Sequence, residues 1–154
     1  MATLFFDLEA NGWRDTATTI WVISYAIDDE EVQSIKEVEN FWSVFRMCTC
    51  FVGHNILNFD IPLLARLGCR LDLALDIRDT IVLSRLIYPD LQSPPGWVGK
   101  SQPHSLEAWA MRMGGEQKVQ HEDWSQYSEE MRERCESDVR ITRKLYRKLM
   151  KEIQ

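Results

Sequence analysis

Two acidic side chains near the N-terminus are spaced so that they could share a metal ion. Asp7 and Glu9 follow the apolar residues 4–6, a run that predicts a buried strand. Side chains two positions apart on a strand point to the same face, so both carboxylates would project together. They would repel each other unless a proton or a cation intervened, and such oxygen ligands suit magnesium. A lone pair of this kind is more often a solvated strand end, so the hypothesis needs support from the rest of the chain.

A third acid, Asp138, falls within the apolar stripe of a predicted C-terminal helix. An acid on a core-facing stripe is costly unless it is paired or bound to a metal. Two structural explanations stay open beside the metal: an i,i+4 pair with Arg134, and a helix whose buried face is rotated away from Asp138. The other members of the stripe recur at helical spacing and are Met131, Cys135, Thr142, Leu145 and Leu149.

A fourth acid, Asp60, stands at the start of a predicted helix, after His54, Asn55 and Phe59. Taken alone, it is better explained as an ordinary helix N-cap. Taken with the strand pair and Asp138, it could complete a two-metal site. In such a site one ion activates water and the other stabilises the leaving oxygen.

The elements that must position these acids alternate between short strands and helices, which predicts an α/β or α+β domain. Strands are predicted around residues 4–9 and at 19–27, 31–36, 51–53 and 73–78. Helices are predicted at 38–47, and over a segment that has Pro62 in its first turn, runs to Leu67 and is closed by Gly68. Further helices are predicted from an Asp79 or Thr80 cap to Pro89, from Ser105 to Gly114, and from Ser128 onward. Residues 89–104 are predicted to form one long irregular segment.

Length and composition predict a single globular domain spanning 1–154, with 45% apolar and 27% charged residues. The net charge of −6 means that a bound polyanion would have to be held by metal or by a local basic patch. No apolar run approaches the roughly 20 residues of a membrane span, and no signal peptide is recognisable. The four cysteines form no CxxC pair, which favours reduced thiols and a cytoplasmic location, the host cytoplasm if the source is viral.

Together these motifs resemble the DEDD 3′→5′ exonuclease superfamily. FDLEANG contains Asp7 and Glu9, GHNILNFDIPLL contains Asp60, and ERCESDVRIT contains Asp138. The chain is most similar to the proofreading domain of phage-type family A DNA polymerases, whose pattern segments 79–91 and 104–114 also match. The resemblance implies a ribonuclease-H-like fold, a mixed sheet flanked by helices, over the whole chain. Because no polymerase domain follows Gln154, we expect a stand-alone exonuclease.

The resemblance also implies a function, which is metal-dependent removal of nucleotides from single-stranded 3′ ends, with DNA favoured and RNA not excluded. The four acids would hold two Mg or Mn ions. Asn55 and Phe59 would hold the last nucleotides, in part by base stacking. A polymerase or another protein is an open partner, no membrane partner is expected, and the sequence leaves the oligomeric state open.

One position departs from the family pattern. The superfamily places a Tyr four residues before the last Asp, or a His five residues before it, to act on the nucleophilic water. Here those positions are Arg134 and Glu133, and an arginine stays protonated. Four interpretations stay open: the metals suffice at a lower rate, Tyr127 or His121 swings in as the base, Arg134 binds a substrate phosphate, or the protein is a weak or inactive module that binds nucleic-acid ends or a partner. Our working hypothesis is an active enzyme.

The predicted C-terminal helix is strongly basic after Asp138. A solvated face that complements the helix dipole is the commoner explanation. A nucleic-acid or partner surface is the alternative. The cations concerned are Arg140, Arg143, Lys144, Arg147, Lys148 and Lys151.

Overall fold

A mixed five-stranded sheet forms the centre of the molecule in the computed structural model, which describes residues 2–67, 76–97 and 102–154. The strand order is β3-β2-β1-β4-β5. β2 runs antiparallel to β1, whereas β4 and β5 run parallel to it, so β1 is central. The strands are β1 (Thr3–Ala10), β2 (Ile20–Ile27), β3 (Gln33–Ile35), β4 (Cys50–Gly53) and β5 (Asp76–Asp79).

The helices lie close to where the sequence predicts them, with ends that shift by a few residues. The predicted helix 38–47 ends at Phe45, and the described part of the strand predicted at 73–78 is β5. Residues 73–75 and Gly68 lie outside the described residues. The prediction of a mixed sheet flanked by helices in one domain is confirmed. The helices are α1 (Val38–Phe45), α2 (Asp60–Arg66), α3 (Thr80–Ile87), α4 (Leu106–Met113) and α5 (Glu129–Ile153).

The alternation of side chains along β1 divides the interior into two layers. Leu4, Phe6 and Leu8 point to one face, where they pack with apolar residues of α1 and α2. Phe5 points to the other face and packs with Val139 of α5. One face of β1 is therefore apolar along its length. The other face has room for polar side chains beneath α5.

Helix α5 begins as its sequence predicts and buries its predicted stripe. The Ser128 Oγ accepts a hydrogen bond from the Met131 N–H (3.2 Å), and Glu129 and Glu130 occupy the first turn, where the dipole favours acids. Asp138 is buried with the rest of the stripe. The explanation in which the helix turns Asp138 away from the core is therefore wrong.

Asp79, at the carboxyl end of β5, organises the loop between β4 and α2. It caps α3 by accepting from the Ile81 N–H (3.0 Å), and it also accepts from the backbone N–H groups of Asn55 (2.7 Å) and Leu57 (3.0 Å). Asn55 has a φ of 62°, a left-handed conformation that needs such support. A buried acid on the neighbouring strand thus fixes the loop that leads into α2.

The described residues contain no helix both long and apolar enough to cross a membrane. Cys48, Cys50 and Cys135 are free thiols, in agreement with the predicted reduced state, and Cys69 lies outside the described residues.

Replacing Asp79 should destabilise the protein, because three backbone donors would lose their buried acceptor. We expect Asp79→Ala to lower the free energy of unfolding by about 2–4 kcal/mol in chemical denaturation. Asp76→Ala, which removes an exposed acid paired with Arg78 from the start of the same strand, should cost less than about 1 kcal/mol. Equal losses in the two variants would contradict the role given to Asp79.

Candidate active site

An open cleft of about 390 Å³ lies at the carboxyl ends of the parallel strands. Asp7 and Glu9 project into it from β1, Asp60 from the first turn of α2, and Asp138 from α5. The structure thus brings together the four acids singled out in the sequence, although they come from three separate elements.

Burial makes this cluster electrostatically expensive. Glu9, Asp60 and Asp138 are only 8%, 3% and 5% exposed. Burial raises the pKa of each of the four carboxyl groups, and it raises that of Glu9 to about 7. The negative charges of Asp60, Glu9 and Asp138 raise the pKa of Asp7 further. Raised pKa values of this kind are expected for a cluster of acids that binds a cation, when the pKa values are considered without the cation.

The oxygen atoms of the cluster fit a divalent cation. Asp60 Oδ2 and Asp138 Oδ1 are buried and have no hydrogen-bond partner among the described residues. A buried carboxylate oxygen without a partner is costly unless an ion or water satisfies it. Hard oxygen donors of this kind are the ligands that magnesium and manganese take. The donor set therefore fits the predicted metals.

Asp60 is not a helix N-cap. Phe59 occupies the N-cap position without a side-chain cap, and Asp60 is the first helical residue. Its carboxyl group instead hydrogen-bonds to the backbone of Leu8 in β1, which partly offsets the rise in its pKa caused by burial and by Glu9. The N-cap explanation is therefore wrong, and Asp60 is tied to the strand that carries the other two acids.

Two cations border the carboxylates. Arg134 Nε lies 3.3 Å from Glu9 Oε1, so Arg134 pairs with Glu9 and not with Asp138 as the i,i+4 explanation required. The same guanidinium lies 4.9 Å from the centre of the Trp124 ring, which restricts its position. Lys118 Nζ lies 4.0 Å from Asp138 Oδ2. Sequence reasoning missed Lys118 because the polar connection that contains it carries no periodic pattern.

The rim of the cleft carries the predicted substrate-binding side chains and one that was missed. Asn55 and Phe59 both line the cleft, where the structure places them beside Asp60. Trp13 also lines it and is 79% exposed. An adjoining hollow of about 420 Å³ lies between Trp13, Phe59 and Trp124. A large aromatic side chain just after the Asn11-Gly12 turn was the available signal for Trp13.

The two residues suggested as alternative bases do not reach the carboxylates in this structure. The Tyr127 hydroxyl donates to Glu129 Oε1 (3.0 Å), away from the cleft. His121 Nε2 contacts the Asp123 carbonyl, and its ring lies edge-on to Trp124 at 4.8 Å. Neither residue is among those that line the cleft in the described chain.

Cys135 packs directly beneath the acids. Its Sγ lies 3.3 Å from the Asp7 carbonyl oxygen and 3.7 Å from Asp7 Oδ2. Burial, followed by the charges of Asp7 and Glu9, raises the pKa of the thiol well above its usual value. The protonated thiol therefore acts as a hydrogen-bond donor that holds Asp7 in place.

No protein-family model matches the sequence, but two phage DNA polymerases are similar to it. The DNA-directed DNA polymerase of Enterobacteria phage T3 is 29% identical over an alignment of 186 positions that covers 96% of this chain and 26% of the polymerase. The DNA-directed DNA polymerase of Escherichia phage T7 is 30% identical over 131 positions, which cover 64% of this chain and 18% of the polymerase. The chain thus spans about a quarter or less of the length of these relatives.

Solved structures extend the comparison to the fold. E. coli exonuclease I, in complex with a 5cy-dT13 oligonucleotide, superposes with a TM-score of 0.61 at 14% identity, over 99% of this chain and 40% of that chain. The chain therefore has the ribonuclease-H-like fold of exonuclease I. A family B DNA polymerase from the hyperthermophilic archaeon Pyrobaculum calidifontis superposes with a TM-score of 0.55 at 16% identity, over 97% of this chain and 24% of that chain. The predicted resemblance and fold are confirmed.

The raised pKa values predict that the metal-free protein loses stability as the pH rises. Between the usual glutamic acid pKa and about 7, Glu9 is protonated in the folded state and ionised in the unfolded state. The folded state then binds more protons, so the free energy of unfolding falls with increasing pH through this window. The raised pKa values of Asp7, Asp60 and Asp138 act in the same direction.

The measurement is chemical denaturation in chelator at a series of pH values from 5 to 8, with Glu9→Gln beside the parent chain. Glu9→Gln should flatten part of the decline, because the amide cannot ionise. Stability that rises over this range in chelator would contradict the electrostatic description of the cluster. Added magnesium or manganese should reverse the loss at pH 8 in the parent chain.

Proposed function

We propose that this chain hydrolyses phosphodiester bonds and releases nucleotides from the 3′ ends of single-stranded nucleic acid, with DNA favoured over RNA, and that it needs two divalent ions, Mg or Mn. The observation that carries the proposal is the convergence of Asp7, Glu9, Asp60 and Asp138 in one cleft, with buried oxygens that have no partner among the described residues. The exonuclease fold supports the same activity. We also propose that residues 1–154 act as one exonuclease domain.

The four acids would hold the ions, and bound ions would supply an activated water and charge stabilisation at the scissile phosphate. The remaining residues of the cleft would bind and orient the strand. Phe59 and the exposed Trp13 offer aromatic surfaces on which any base can stack, which suits an enzyme without sequence preference. Asn55, held in its strained conformation by Asp79, would present its side chain to the terminal nucleotide.

Arg134 and Lys118 would supply positive charge to the substrate phosphates. Both border the carboxylates, and an arginine can donate two parallel hydrogen bonds to a phosphate. When a phosphate and metal ions enter, Glu9 would turn from Arg134 to an ion, and Arg134 would turn to the phosphate. Of the interpretations that the sequence left open for Arg134, we therefore propose the one in which it binds a substrate phosphate.

DNA is favoured because the relatives by sequence are DNA polymerases and because exonuclease I was solved with a single-stranded dT13 oligonucleotide. A polymerase is for the same reason a reasonable protein partner. No described side chain is identified as a reader of the 2′-hydroxyl, so RNA belongs in the test.

The test is a digestion of 5′-labelled single-stranded DNA and of matched RNA in magnesium, manganese or chelator. We expect a ladder that shortens from the 3′ end, and we expect chelator to abolish it. Asp7→Ala should lower the rate at least about 100-fold, because the loss of a metal ligand removes several kcal/mol of transition-state stabilisation. Asp15→Ala, which removes an exposed acid far less buried than the cluster, is the matched control and should retain the rate.

Binding of the labelled strand without shortening in either metal would overturn the proposed activity. One observation would then favour the second candidate, a catalytically weak or inactive module that binds nucleic-acid ends or a partner protein. That observation is the Arg134–Glu9 ion pair, because a permanently protonated arginine stands where the family places a residue that can act on water.

Arg134 itself can be tested by two substitutions with different expected signatures. Arg134→Gln removes the charge and should raise KM about 10-fold, since hydrogen bonds between charged groups contribute about 1.5–3 kcal/mol. Arg134→Tyr introduces the family's residue and should raise kcat if the missing base limits the rate, because general-base assistance gives roughly 10²–10⁴-fold. Steady-state kinetics on the same oligonucleotide separates the two parameters.

An unchanged KM in Arg134→Gln would exclude the phosphate contact. An unchanged kcat in Arg134→Tyr would show that the arginine does not limit catalysis. Arg134→Lys is the control for charge without the planar guanidinium.

A further inference from the structure

A second feature of the surface, separate from the cleft, is a groove of about 730 Å³ between the C-terminal end of α4 and the outer face of α5. Seven of the nine residues that line it are cationic, and the other two are Met113 and Glu152. The chain as a whole carries a net charge of −6, so this concentration of positive charge is local. The groove, unlike an evenly charged surface, would attract an anion to one place.

The cations on α5 form a continuous stripe. They recur at three- and four-residue intervals, so they lie on one face of the helix, opposite the buried stripe that contains Asp138. From the first to the last of them the helix rises about 17 Å, at about 1.5 Å per residue. The members of the stripe are Arg140, Arg143, Lys144, Arg147, Lys148 and Lys151.

Most of this charge is not neutralised within the described chain. Arg140 pairs with Glu116 (2.7 Å) and Arg147 with Asp29, but the other lining cations have no carboxylate within 4.0 Å in the described residues. Arg143 donates only to the backbone carbonyls of Asp28 (3.2 Å) and Glu30 (2.6 Å). Burial lowers the pKa of Arg143, and the neighbouring Arg147 and Arg140 oppose its charge further.

Arg112, on the α4 side of the groove, is an independent observation that favours an anion at this place. Its Nη2 donates to the Gln92 carbonyl (2.8 Å), and its guanidinium lies 4.8 Å from the centre of the Trp109 ring. Its Nη1 is buried and has no acceptor among the described residues. A buried guanidinium nitrogen held in this way needs an anion or a water to satisfy it.

The helix dipole does not account for the stripe. Its stabilising effect on cations falls off within the last turn of a helix, so it applies to Lys151 and not to Arg140. Arg140 stands more than three turns, about 20 Å, before the end of the helix at Ile153. The commoner explanation from sequence therefore covers only one end of the charged face.

The groove has the character of a site for a repeating linear anion. A folded protein partner usually anchors through buried aromatic or aliphatic side chains, whereas Met113 is the one apolar residue named among those that line this groove in the described chain. A nucleic-acid backbone needs no such anchor, because Lys and Arg contacts to phosphates supply most of its sequence-independent binding.

The groove and the cleft share the same two helices. Ser105 and Leu106, at the beginning of α4, line the cleft, and Arg112 and Met113, at its end, line the groove. On α5, Asp138 in the cleft and Arg140 in the groove are two residues apart and lie on opposite faces of the helix. A nucleic-acid strand whose 3′ end lies in the cleft would reach the cationic stripe of α5 only if it extended beyond the cleft.

We propose that the α4–α5 groove is a second nucleic-acid site, which holds the phosphate backbone of the substrate strand upstream of its 3′ end. The proposal rests on the proposed nucleic-acid substrate. It requires that binding depend on strand length, because short strands would fill the cleft alone.

The test is the affinity of fluorescent dT oligonucleotides of about 4 and about 20 nucleotides, measured in chelator over a range of salt concentrations. Each phosphate contact to a single strand contributes about 0.7 to the slope of log K against log salt, so Lys148→Gln/Lys151→Gln should reduce that slope by about 1.4 for the long strand. The double variant should leave the slope for the short strand unchanged. It should also leave unchanged the rate at which the short strand is digested.

The matched control is Arg46→Glu, at the end of α1 on the opposite face of the sheet. It changes the net charge by the same two units, and Arg46 is exposed. We expect no change in the slope for either strand in this variant. An equal effect of Arg46→Glu and the double variant, or a double variant that binds the long strand like the parent, would overturn the proposal.

Two further results have distinct meanings. In the first, no oligonucleotide is shortened in magnesium or manganese, but the slope for the long strand falls in the double variant. The proposed exonuclease activity would then be wrong, and the proposal that the groove binds nucleic acid would be supported. If the double variant loses affinity for poly-glutamate but not for the long oligonucleotide, the groove belongs to an acidic protein segment, and the nucleic-acid proposal is wrong.

Discussion

The mutual repulsion of four carboxylates is the constraint on which the rest of this structure depends. Buried acids that raise one another's pKa values work against folding, so the fold must hold them together by contacts made elsewhere. β1 contributes through its two faces. Its apolar row packs in one layer, and Asp7 and Glu9 point to the other face. The packed apolar row fixes the position of the strand that carries Asp7 and Glu9.

The supports around the cluster are themselves polar and specific. The Cys135 thiol can donate its one proton to the backbone carbonyl or to the carboxylate of Asp7, and Asp60 is hydrogen-bonded to the backbone of β1. Asp79 fixes the loop that carries Asn55. These contacts leave Asp60 Oδ2 and Asp138 Oδ1 without a partner among the described residues.

Positive charge in this acidic protein is concentrated in two concave regions, the cleft and the α4–α5 groove. Arg134 and Lys118 border the carboxylates, and the cations of α5 lie along a separate groove on the same helix. The overall charge of −6 therefore describes the surface average and gives no guide to what the two concave regions attract.

The order of the elements and the identity of the four acids could be predicted from the sequence. Period-two and helical patterns, caps such as Ser128, and the spacing of Asp7 and Glu9 depend on neighbours in the chain, and local geometry decides them. The family resemblance then indicated that Asp60 and Asp138 belong to the same site, which no local pattern could show.

Only the tertiary structure decided which partners these groups take. Whether Asp60 capped its helix, whether Arg134 paired along its own helix or across to Glu9, and whether Lys118 reached Asp138 all depend on elements far apart in sequence. Trp13 and the α4–α5 groove became visible for the same reason, since exposure and concavity belong to packed surfaces. A sequence fixes the chemistry of a side chain, but long-range packing chooses what that side chain meets.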